Sequence, residues 1–175
     1  MKFFAFGTLT DMRAMQAITG RENLTGKNAV LEGFKLGVQK TENMLPVVRN
    51  IIEGTWTKDF EAYAMVPAKE GENKKVFGIV LDLNEQDIEA LENFHLKGLG
   101  WFKDTNVTIK NDEGQSELVK TFVLGDNQEI NFEVDGENYS PSLGGGETFI
   151  NKYIQVATSE KERLDISKSP SKERF

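Results

Sequence analysis

The chain has 175 residues, a formal charge of −7, no cysteine and one histidine. That length fits one domain with a sizeable core, and the acidic balance argues against a nucleic-acid binder or an anionic membrane surface, both of which need a basic face. The missing cysteines exclude disulfides, a thiolate nucleophile and a cysteine zinc site, and a lone His95 excludes a histidine-rich metal cluster.

The chain opens on an apolar run, MKFFAF. It is too short for a signal peptide, and no later run reaches the roughly 18 apolar residues of a membrane span. The expectation is a cytoplasmic protein without a membrane or nucleic-acid partner, metal or cofactor. Residues 2–6 barely alternate and predict a strand buried on both faces. Gly7-Thr8-Leu9 then turns the chain into a predicted helix over 11–19, with Thr10 or Asp11 as cap and Gly20 as stop. A buried strand, a glycine turn and a helix start form a corner that can present backbone N–H groups to an anion. The plainer alternative is an ordinary strand-to-helix turn.

Residues 29–39 read as one strand, bulged or bent at Gly33 and Gly37. Residues 41–60 read as a loop with short strands, and their Met44–Val48 patch and Trp56 suit either core or a contact surface. A short strand over 62–66 ends at Pro67, and a charged turn fills 69–75. Residues 76–83 are a strong strand. Asn84 then caps a helix over 85–95, with Asp87 at the reciprocal position of a capping box. Strands over 101–110 and 117–124 flank an Asn111–Gly114 hairpin turn. Residues 125–146 are polar, with a short strand over 130–134. Phe149, Ile150, Tyr153, Ile154 and Ala157 repeat at helical spacing and predict a final helix over 147–158. The reading is a single domain over 1–158, with a charged, mobile tail over 159–175.

Three stretches together resemble the γ-glutamylcyclotransferase superfamily, including its AIG2-like branch. They are Phe6-Gly7-Thr8-Leu9, the strand Val76–Leu83, and Leu91-Glu92-Asn93-Phe94-His95. The resemblance spans about residues 2–124 and, more loosely, the last helix; it leaves 41–60 unexplained. It implies an α+β fold, a mixed, barrel-like β-sheet with flanking helices. It also implies a reaction in which a γ-glutamyl amine attacks its own γ-carbonyl, giving 5-oxoproline and a free amine. Such ring closure needs a folded substrate and one proton shuttle. In the family a glutamate at the helix end moves that proton, and the Gly-Thr-Leu turn faces the developing charge.

The chain departs from the family where the chemistry lies. His95 stands at the position of the catalytic glutamate. Phe6 and Phe102 stand where the family has tyrosines. His95 is thus the sole catalytic candidate, with Phe6, Gly7, Thr8, Leu9 and Phe102 as ligand-binding candidates. Glu92, one turn before His95, is a carboxylate within reach of the same region, though the family usually has Asp there, and a solvated helix face is the preferred reading for it, as for Glu85 and Glu89. The plainer roles are a polar group at a helix C-terminus for His95 and core packing for the two phenylalanines. The expected function is a catalytically degenerate, cyclotransferase-like module that binds a small γ-glutamyl-like ligand or a protein partner. The alternative is an active γ-glutamyl amine cyclotransferase with His95 as general base.

Overall fold

The computed structural model describes residues 1–167. Strands β1 (Lys2–Ala5), β2 (Gly26–Glu32), β5 (Lys75–Asp82), β6 (Phe102–Asn111) and β7 (Ser116–Leu124) close a barrel in the order β1-β5-β2-β6-β7. The neighbours run antiparallel, except that β1 meets β7 in parallel at Phe3 and Lys120 and so completes the ring. A second sheet carries β3 (Phe34–Lys40) between β4 (Glu61–Pro67) and the short β8 (Phe132–Glu133). The helices are α1 (Met12–Thr19), α2 (Pro46–Thr55), α3 (Glu85–Phe94) and α4 (Gly146–Ser167). This is the mixed α+β, barrel-like fold that the sequence resemblance implied.

The doubly buried first strand has a direct cause. Phe3 and Ala5 enter the core shared with α1, α3 and α4, while Phe4 and Phe6 enter a second core with Leu31, Leu36, Met65 and Ile109. With an apolar layer on each side, a strand has no reason to alternate. Helix α1 begins on the side chain of Asp11, which accepts the Arg13 N–H, and ends on Gly20 in the left-handed conformation. Helix α3 has both halves of its capping box. The Asp87 N–H donates to Asn84 Oδ1 at 2.8 Å, and the Asn84 N–H donates to Asp87 Oδ2 at 3.0 Å. Arg21 also pairs with the buried Asp87 at 2.7 Å, so the box is locked to the end of α1. Asn111 Oδ1 accepts the N–H groups of Glu113 and Gln115, which sets the β6–β7 turn.

Three expectations fail. The strand read over 29–39 is two strands in different sheets, divided at Gly33, whose φ of +85° lets the chain change direction. Residues 41–60 hold α2 rather than short strands. Pro46 takes the first turn, where no N–H is needed, and Val48 and Ile52, four apart, bury one face. The last helix runs nine residues past the predicted end at 158, to Ser167. The tail read from Ser159 therefore begins as helix; residues 168–175 lie outside the described residues.

Candidate functional site

A narrow, partly open cavity lies where the end of the barrel meets α2, α3 and α4. Phe6, Thr8, Leu9, His95 and Phe102 all line it. Of the catalytic and ligand-binding candidates named from the sequence, only Gly7 contributes no surface to it. Gly7 holds the turn together instead. Its φ is +65°, and a Cβ there would lie 2.7 Å from the Tyr63 Cβ. Only glycine fits both demands.

The Gly7 N–H is not free for a ligand, because it donates to the Tyr139 hydroxyl at 3.1 Å. That hydroxyl in turn donates to the Phe77 carbonyl. Thr10 Oγ1 donates to the Gly7 carbonyl at 2.7 Å. The anion cradle expected of Gly7-Thr8-Leu9 is thus filled at its first position by the chain itself. The filling group comes from 125–146, a stretch that sequence reasoning could describe only as polar. Burial raises the Tyr139 phenol, against the pull of the Gly7 N–H.

His95 is the C-cap of α3. Its backbone N–H and its ring Nδ1 both reach the Leu91 carbonyl, at 3.0 and 2.7 Å. A carbonyl only accepts, so the neutral ring carries its proton on Nδ1 and leaves Nε2 as a lone-pair acceptor. Among the described residues nothing hydrogen-bonds Nε2. The ring sits against Phe94, Phe102 and Phe122, with centroids 5.4, 5.5 and 5.2 Å away. His95 keeps some surface through the cavity, yet the protein around the ring is dense enough to strip its cation of hydration. Burial therefore pushes its pKa down to about 4, against a smaller upward pull from the Leu91 carbonyl. The side chain is a neutral imidazole at neutral pH.

Glu92 does not turn inward. It pairs with Lys97 at 2.5 Å and Lys120 at 4.0 Å, on the outer side of α3 where Asp104 completes a network of four charges. The acidic residues that do line the cavity are Glu61, at the start of β4, and Glu160 on α4. Glu160 also holds Arg163 at 2.9 Å.

The remaining wall is aromatic. Trp56 stacks on Phe60 at 4.2 Å, and Tyr153 lies 5.5 Å from Trp56 and 6.1 Å from Phe149. Burial raises the Tyr153 phenol. Sequence reasoning missed this wall for two reasons. Trp56 and Phe60 follow an unrecognised helix, while Phe149 and Tyr153 look like any core stripe. The available signal was their four-residue spacing, which sets both rings on one helix face. Glu61 left no signal, because it opens a strand of otherwise ordinary pattern. Among the described residues no cluster of three or more potential ligands could hold a metal ion. No described helix is long and apolar enough to cross a membrane.

Solved structures share this architecture. A gamma-glutamyl cyclotransferase superposes with a TM-score of 0.58 at 17% identity, over 74% of this chain and 69% of that one. An uncharacterized protein from Homo sapiens gives 0.57 at 17% identity, over 74% and 68%. A protein from Arabidopsis thaliana gives 0.52 at 17% identity, over 95% and 92%. At such identities the likeness is one of fold. No protein-family model and no curated protein sequence matches the chain.

Proposed function

We propose that this chain is a small-molecule-binding protein on a γ-glutamylcyclotransferase-like fold, without the cyclisation chemistry that the sequence resemblance implies. One observation carries the reading. At the helix end where the resemblance expects a carboxylate, His95 is neutral, pinned by Leu91 and surrounded by phenyl rings. A carboxylate there would hold the substrate's α-ammonium, take its proton and return it to the leaving amine. A neutral imidazole offers no countercharge, and a base with a pKa of about 4 has little driving force to take a proton from an ammonium group. The cavity itself favours retained binding, being concave, chiefly apolar and supplied with a few convergent polar groups. Its enclosure by three helices fits a small ligand better than a protein surface.

One observation favours the catalytic alternative: the free lone pair of Nε2 belongs to a residue that lines the cavity. The two readings separate in one assay. Incubation with γ-glutamyl amino acids and γ-glutamyl alkylamines is expected to yield no 5-oxoproline above the buffer rate. His95→Glu restores the carboxylate, and 5-oxoproline formed by that variant but not by the parent would show that the cavity still admits a γ-glutamyl group. Product formed by the parent chain and lost in His95→Ala would establish the enzyme instead.

A further inference from the structure

We infer that the cavity selects an organic ammonium ion with a flat apolar body, a ligand carrying no carboxylate, and that Glu61 is its counter-ion. This rests on the reading of the cavity as a ligand site and adds the ligand's charge class. Four features of the cavity point the same way. Among the described residues no lysine or arginine lines it, so an anion would meet no cation from them there. Glu61 lines it, half-buried, and among the described residues its side chain has no ion pair or hydrogen bond. Its cross-strand neighbour Lys40 does not neutralise it, because the Lys40 ammonium lies over the Phe132 ring at 5.7 Å. The residues that close the C-termini of α2 and α3, Trp56 and His95, both line the cavity, and helix C-termini favour positive charge. The rings of Trp56, Phe60 and Tyr153 complete the case, since aromatic faces attract cations and stack on flat apolar groups.

His95 has a defined part in this arrangement. With Nδ1–H committed to Leu91, Nε2 can only accept, so it takes an N–H from the ligand. A ligand carboxylate would face the His95 lone pair and the Glu61 carboxylate with no compensating donor from a charged side chain. The site therefore discriminates by an unfavourable contact as well as a favourable one.

The test is calorimetric titration of the full chain at pH 7 with three probes of one shape: phenethylamine, 2-phenylethanol and 3-phenylpropionate. The amine is expected to bind about fivefold or more tighter than the alcohol, and the carboxylate more weakly than either. Glu61→Gln is expected to abolish the preference for amine over alcohol while leaving the alcohol's affinity within about twofold, as expected when only the charge contact is removed. Carboxylate binding as tight as amine binding would overturn the inference, as would an amine preference that survives in Glu61→Gln. Alcohol binding without an amine preference would overturn the charge assignment alone. If none of the three probes binds, the ligand-site reading falls, and this inference with it.

Discussion

His95 is the only histidine in the chain, so its titration can be followed without ambiguity. Burial holds the folded pKa at about 4, against an ordinary value of 6.5. Between those values the unfolded chain binds the proton and the folded chain does not. Stability attached to this residue is therefore complete above pH 6.5 and is lost as the pH falls toward 4. The loss is at most roughly 3 kcal/mol across the whole window. Two measurements check this. The imidazole C–H resonances are expected to stay flat from pH 8 to about 5, well below the usual histidine midpoint. Urea unfolding from pH 7 to 5.5 is expected to show a steeper fall in stability for the parent than for His95→Gln. Tyr139 is the second residue whose loss is readable. In Tyr139→Phe the Gly7 N–H loses its acceptor and the Phe77 carbonyl its donor. A cost of about 1–2 kcal/mol is expected, with faster hydrogen exchange at the Gly7 amide. The sequence located His95 but not its protonation state. That state depends on the Leu91 carbonyl, the rings of Phe102 and Phe122, and burial that no local pattern encodes.

At the scale of elements, the turn between β1 and α1 is a tightly constrained piece of backbone beside the cavity. Gly7→Ala must place a side chain in the left-handed region and against Tyr63. The two penalties together are expected to cost roughly 3 kcal/mol, read as a lower urea midpoint with an unchanged slope. The turn and α3 were legible because their signals are local. Asp11, Gly20, Asn84 and Asp87 act within a few residues of their positions, through hydrogen bonds that short-range sequence specifies. Helix α2 was obscured because its apolar stripe is short and the helix opens on Pro46, a residue equally at home in a loop. Gly33 was seen as a bend, but a single strand that bends and a chain that changes sheets have the same local pattern. Only the pairing of β2 with β5 and of β3 with β4 separates them.

For the molecule as a whole, the barrel and the second sheet must stay in fixed relation, or the cavity's edges part. A buried hydrogen bond makes that joint. Trp101 Nε1, just before β6, donates at 2.8 Å to Oε1 of Gln39 on β3, and Gln39 Nε2 donates to the Asn43 carbonyl at 3.1 Å. Gln39 is fully buried. Gln39→Leu keeps most of the volume but strands the indole N–H. It is expected to cost about 1–3 kcal/mol in chemical denaturation and to weaken any cavity ligand, while Trp101→Phe in the same background recovers part of the loss. Gln39 and Trp101 stand 62 positions apart in the sequence. A glutamine inside an apolar strand gives no hint of so distant a partner. The same holds for the cavity as a whole: its floor comes from motifs contiguous in the chain, its walls from α2 and α4, which meet only in the folded molecule.

The placement of the two tryptophans has a practical consequence. The chain contains only Trp56 and Trp101, and both line the cavity. All of the indole emission therefore originates at one place. Without a dye or label, a change in its colour or intensity reports an arriving molecule, and chemical libraries can be screened optically on the native chain. Replacing either indole by phenylalanine assigns the signal to one wall: Trp56 at the end of α2, or Trp101 at the entrance to β6.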